Sequence, residues 1–158
     1  MGADYYDMGI FHPECKRLTN SGVLRLYNNG KREFGFNNKK WLEMVEGALF
    51  FLKLWYADIP KIAMENPIPH GYAQAIIRDK YSQIIQPYNF NENASKATCL
   101  WLKNLPLLQN TGYYTPRLVE GKKRWANQCD SGHNNNPNSK ERSKTYEGIA
   151  KAMAEQWG

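Results

Sequence analysis

Cysteine, long apolar runs and concentrated charge are all scarce in this chain. Its three cysteines, Cys15, Cys99 and Cys129, are odd in number and far apart. That argues against a disulfide framework and for a reducing, cytoplasmic setting. The N-terminus carries no signal-like pattern. The longest apolar run, Gly47 to Tyr56, is broken by Lys53 and is too short to cross a bilayer, so the sequence reads as soluble, with no membrane partner. His12, His70 and His133 lack metal-ligand spacing with the cysteines, and no metal site is expected. No internal repeat is present, and no glycine-rich turn of the kind that cradles a phosphate or cofactor. The net charge is +6, which favours polyanions such as nucleic acid or nucleotide phosphates, but no block of five or six basic residues concentrates it. A solvated lysine surface explains the surplus equally well.

What is present is enough for one domain with a real core: 158 residues, 42% of them hydrophobic. A first strand is expected at residues 5 to 11, and the HPECKRLTNSG segment then reads as a loop. Thr19, Asn20 or Ser21 caps a short helix through Val23, Leu24 and Leu26. From Asn38 to Ala57 the apolar period is helical, with Trp41, Val45, Ala48, Leu49, Leu52 and Trp55 as a core stripe and Asn37 or Asn38 as cap. Asp58-Ile59-Pro60 ends that helix before a buried strand at 61 to 65. Strand, helix, strand is a crossover unit, which sets the two strands parallel. A short helix over Tyr72 to Lys80, with Ala73, Ile76 and Ile77 facing inward, follows. Strand compositions at 83 to 88 and 97 to 105 suggest a hairpin around NFNENASK. Residues 106 to 140 read as a long irregular loop. A last helix, Lys140 to Trp157, puts Tyr146, Ile149, Met153 and Trp157 on one face, with Ser143 or Thr145 as cap.

Two strand ends hold the chemistry. The first strand runs into His12-Pro13-Glu14-Cys15 and the second ends in Glu65-Asn66-Pro67. Parallel neighbours deliver their C-terminal ends to one sheet edge, where ligands of open α/β sheets sit. A thiol and a carboxylate would meet there. Cys15 reads equally as a small buried residue, whereas Glu65 at a buried edge demands a partner. Cys99 lies in an apolar strand and reads as core; Cys129 lies in a polar loop and reads as merely exposed.

In order along the chain, HPEC, LTNSG, IPKIAMENP, QIIQPYNF, KATCLWLKNLP and KERSKTYEGIAKAMAEQW resemble successive landmarks of small phage-encoded proteins related to DNA (cytosine-5) methyltransferases. The resemblance implies an α/β fold of truncated Rossmann-like, class I methyltransferase-like type: a mostly parallel sheet with flanking helices and a hairpin. It maps the nucleophile onto Cys15 and the ring-stabilising acid onto Glu65. The surrounding His12, Pro13, Ser21, Asn66 and Pro67 then belong to nucleotide or base binding, and Lys16, Arg17 and Lys96 to phosphate. In such enzymes a thiolate attacks C6 of a flipped-out cytosine while an acid near N3 stabilises the charge that builds there.

The chain departs from that pattern in two places. Glu14 stands where a second proline is usual, and a carboxylate beside a thiol disfavours a thiolate. The chain also begins at the nucleophile strand, so the strands that bind S-adenosylmethionine have no source unless another chain supplies them. The expected function is therefore nucleotide or base binding on a degenerate methyltransferase fold, not self-sufficient for methyl transfer. The alternatives are a phage counter-defence protein that sequesters a host nucleotide signal in the host cytoplasm, and an active methyltransferase completed by a partner chain. The bare sheet edge left by the absent strands calls for a homo-oligomer or a covering partner.

Overall fold

The computed structural model describes residues 5–133 and 145–158. The architecture is mixed α/β. The described elements are strands β1 (Met8–Phe11), β2 (Lys61–Pro67), β3 (Gln83–Ile85), β4 (Thr98–Lys103), β5 (Arg117–Val119) and β6 (Lys122–Arg124), with helices α1 (Asn38–Trp55), α2 (Gly71–Ile77) and α3 (Glu147–Trp157). The described residues group into two compact units, 5–84 with 98–105, and 85–97 with 106–133 and 145–158.

The first unit is built on a four-stranded sheet in the order β1-β2-β4-β3. β1 and β2 are parallel, with Met8 opposite Lys61 and Phe11 opposite Met64, as the crossover through α1 requires. β2 and β4 are antiparallel, with Glu65 opposite Leu100 and Asn66 opposite Cys99. The sheet is thus mixed rather than mostly parallel, since β4 runs back against β2. β2 is central and buried from Ile62 to Asn66, which is why it reads as a continuous apolar run.

The helix α1 covers this sheet. Asn37 caps it, accepting from the Lys40 N–H at 3.1 Å. Its buried residues are Met44, Ala48 and Phe51, and the Phe51 ring meets Trp101 of β4 edge-on at 5.0 Å. Leu49, expected on the core face, is 55% exposed. The helix is apolar nearly all round, so its sequence leaves the inward direction loosely specified. The expected helix at 72 to 80 is shorter, stopping at Ile77 because Arg78 turns to φ 63°. The segment after Thr19 is a 3-10 helix, Asn20–Leu26, with no side-chain cap.

In the second unit the stretch expected to be irregular carries the β5–β6 hairpin, its turn formed by Glu120 and Gly121, both at positive φ. The strand expected through residue 88 gives way to a 3-10 helix, Pro87–Phe90, since Pro87 cannot donate to a ladder. α3 buries Ile149, Ala152, Met153 and Trp157. The proposed cap Ser143 lies outside the described residues. Thr145 does not cap the helix; Tyr146 stands at the cap position without a side-chain bond, and Glu92 accepts from the Gly148 N–H at 2.7 Å instead. Gly148 is close-packed: a Cβ there would lie 2.1 Å from the Phe90 carbonyl oxygen. Among the described residues no helix is long and apolar enough to cross a membrane.

Candidate functional site

Because Phe11 pairs with Met64, the next residues of the two parallel strands leave the sheet together. His12 Nδ1 accordingly lies 3.5 Å from Glu65 Oε2. The Glu65 side chain is 9% exposed and that of His12 47%, so a buried carboxylate is reached from solvent past a half-open imidazole. Side chains alternate along a strand, so Asn66 projects from the other face of β2. Its Nδ2 donates to the Pro13 carbonyl at 3.4 Å, and its buried Oδ1 has no hydrogen-bond partner. A buried acceptor without a donor costs about 1–3 kcal/mol.

The loop from His12 to Ser21 is held against the exit of β2. The Leu18 and Thr19 N–H groups donate to the Cys15 carbonyl at 2.9 and 3.3 Å, the Asn20 N–H to Ile68 O at 2.8 Å, and the His70 N–H to Leu18 O at 2.9 Å. The His70 ring completes the clamp. Its Nδ1 accepts from the Ala73 N–H at 3.1 Å, capping α2. The proton therefore sits on Nε2, which lies 2.7 Å from the Arg17 carbonyl and donates to it. His70 is a positioning residue that the sequence did not announce. A histidine immediately before a helix glycine was the available signal.

Within this frame Cys15 is half-buried, Pro13 buried, and Ser21 exposed, with the Ser21 Oγ 3.3 Å from Thr19 Oγ1. Pro67 closes β2 opposite Thr98. Lys16 is exposed. Arg17 Nε donates to Glu43 Oε2 of α1 at 2.7 Å, and that bond holds the Glu43 carboxyl below its ordinary range. Between this loop and α1 lies a groove of about 470 Å³, lined by Glu14, Lys16, Arg17, Glu43, Glu46 and Phe50 among others. Lys96 belongs to the second unit, where its N–H donates to Gln86 Oε1 at 3.0 Å. The structure thus brings His12, Pro13, Glu65 and Asn66 into contact at one edge and anchors the Cys15 loop beside it.

Compared with protein-family models, curated proteins and solved structures, the chain matches none.

The other two cysteines contrast sharply. Cys99 is wholly buried in β4, and desolvation pushes its thiol up to about 12. Cys129 is part-exposed and sits in a built turn: Sγ is 3.0 Å from Ser131 Oγ, which is 3.0 Å from His133 Nδ1. The Ser131 hydroxyl is the main cause that lowers its pKa. The Cys-x-Ser-x-His spacing was the overlooked signal. Among the described residues no group of three or more His, Cys, Asp or Glu could hold a metal ion.

Proposed function

We propose that the chain binds a nucleotide or nucleic-acid base at the edge where β1 and β2 end, on a site of degenerate DNA (cytosine-5) methyltransferase type and a truncated Rossmann-like sheet. The observation that supports this most is the 3.5 Å contact between His12 Nδ1 and Glu65 Oε2 at the shared end of two parallel strands. A buried carboxylate accepts from the exocyclic amino group of a cytosine-type ring, the pairing that carboxylates make with that base. His12 holds the carboxylate's second side, and the Cys15 loop borders the ring.

The described residues do not fit S-adenosylmethionine. The segments following β1 and β2 are His12-Pro13 and Ile68-Pro69, and proline has no N–H to offer a nucleotide. Neither is the small, glycine-bearing turn that lets backbone approach such a cofactor. No methyl-transfer step is assigned to this chain. The ligands within the reading are a free nucleotide and DNA, and the open edge of β1 calls for a second copy or partner chain.

Calorimetric titration with cytidine monophosphate tests the site. Glu65→Gln keeps the side chain's size but loses a charge-assisted bond of about 1.5–3 kcal/mol, and is expected to weaken binding roughly 10- to 150-fold. Cys15→Ala is expected to leave it unchanged, which separates binding from catalysis. Wild-type affinity in Glu65→Gln would remove the site, and methyl transfer by the purified protein to a cytosine-containing duplex would overturn the non-catalytic reading.

A further inference from the structure

The second unit carries a surface that the base-binding reading leaves unused. The β5–β6 hairpin places Arg117, Lys122, Lys123 and Arg124 within eight residues, with Glu120 the sole acid among them. The two arginines are internal fixtures: Arg117 pairs with Asp130 and donates to Gln128 O at 3.0 Å, and Arg124 Nε donates to Asp130 O at 2.8 Å. Lys122 and Lys123 are exposed, and neither makes an ion pair among the described residues. Lys123 Nζ instead lies 3.3 Å from the Tyr113 hydroxyl and 5.8 Å from its ring centroid.

The aromatic side of this surface is rigidly presented. Tyr113 and Tyr114 are 50% and 40% exposed, yet their segment is tied down by main-chain bonds. The Thr111 and Gly112 N–H groups donate to Asn89 O at 3.1 and 3.2 Å, and the Tyr114 N–H donates to Tyr88 O at 2.7 Å. A Cβ at Gly112 would meet the Asn91 side-chain amide. Tyr113 meets Tyr88 edge-on at 5.7 Å, and Tyr88 stacks on Trp125 at 4.5 Å and 18°. The Trp125 side chain is 8% exposed and its indole N–H has no acceptor. A column of Trp125, Tyr88 and Tyr113 thus ends at a half-exposed ring against the Lys123 ammonium, with Tyr114 next along the chain and, at its base, an indole N–H without a partner among the described residues.

We propose that this surface binds single-stranded nucleic acid. Tyr113 and Tyr114 stack on unpaired bases, and Lys122 and Lys123 hold the phosphates between them. A duplex hides the faces of its bases and leaves the tyrosines nothing to meet; an acidic peptide would use the lysines but not the rings. The proposal is independent of the site on the first unit.

Fluorescence anisotropy with a labelled oligothymidine, and with the same strand in duplex form, tests it. Thymine lacks the amino group that Glu65 would read, so the two sites have separate probes. Tyr113→Ala is expected to weaken single-strand binding about 5- to 150-fold, the range for loss of one base–aromatic stack, without changing the salt slope. Lys122→Gln with Lys123→Gln is expected to reduce the slope of log K against log salt by about 1.4, two contacts at roughly 0.7 each, and to leave cytidine monophosphate binding intact. Glu65→Gln should bind oligothymidine as wild type does. The proposal falls if the wild type does not bind at low salt, if the duplex binds as tightly, if Tyr113→Ala with a native melting temperature binds unchanged, or if Glu65→Gln abolishes oligothymidine binding.

Discussion

Identical thiols in one chain can differ greatly in reactivity because the thiolate, not the thiol, is the nucleophile. Burial against apolar neighbours opposes ionisation of Cys99, raising it to about 12. At Cys129 the Ser131 hydroxyl lies 3.0 Å from the sulfur and lowers its pKa, and His133 Nδ1 lies 3.0 Å from that hydroxyl. A lowered pKa means that thiolate is present at lower pH than for a free cysteine, whose pKa is about 8.5. Alkylation by iodoacetamide at neutral pH, followed by mass spectrometry, should label Cys129 ahead of a free cysteine and spare Cys99 until the protein unfolds. Ser131→Ala should slow Cys129 and shift its rate profile to higher pH. Equal labelling of Cys129 and Cys99 in the folded protein would contradict both assignments.

At the scale of elements, the direction that α1 faces decides what holds the first unit together. Phe51 is fully buried against Trp101, whereas Leu49 is more than half exposed. Phe51→Ala should therefore cost about 3–5 kcal/mol through lost transfer energy and the cavity left behind. Leu49→Ala should stay within about 0.5 kcal/mol, as surface substitutions do. Urea denaturation of the two variants reads the difference directly, and a Leu49→Ala loss as large as that of Phe51→Ala would turn the helix by its expected stripe. The sequence places the helix itself securely, since an 18-residue apolar period with an asparagine cap has few other readings. It places the rotation only roughly: Ala48 is buried and Trp41, Val45, Leu52 and Trp55 pack against the core as the stripe expects, but Met44 and Phe51 take the fully buried positions and Leu49 turns out. The parallel pairing of β1 and β2 was equally legible, since it follows from strand, helix, strand connectivity; the sequence set Cys15 beside Glu65, whereas the side chain 3.5 Å from that carboxylate is His12. The β5–β6 hairpin was not: its strands have three residues each and the sequences Arg-Leu-Val and Lys-Lys-Arg. Nothing that short can show a period of two, and only Glu120-Gly121 marked the turn. The clamp by His70 escaped for a different reason. It joins residues 53 positions apart, and no local pattern records such a contact.

Across the whole molecule, charge and the open sheet edge pull in opposite directions. β1 stands at one end of the sheet, and no described strand pairs with its outer side. Ile10 on this strand is 37% exposed, and Tyr5 and Tyr6 just before it are 90% and 69% exposed. An unpaired edge with apolar side chains invites a second strand, although its four-residue length limits the ladder it can offer. Two copies meeting there each carry a net charge of +6, a repulsion that salt screens over about 8–10 Å near physiological ionic strength. Self-association through β1 is therefore expected to strengthen as salt is added. The proposed nucleic-acid binding is expected to weaken over the same range, because each phosphate contact releases counterions that added salt drives back. Sedimentation velocity at rising salt, with and without an oligonucleotide, thus separates the two by sign alone. Ile10→Lys, which puts a charge on the edge without entering the core, should hold the protein monomeric at concentrations where the wild type dimerises. A wild type that stays monomeric at every concentration and salt would show that β1 needs no partner.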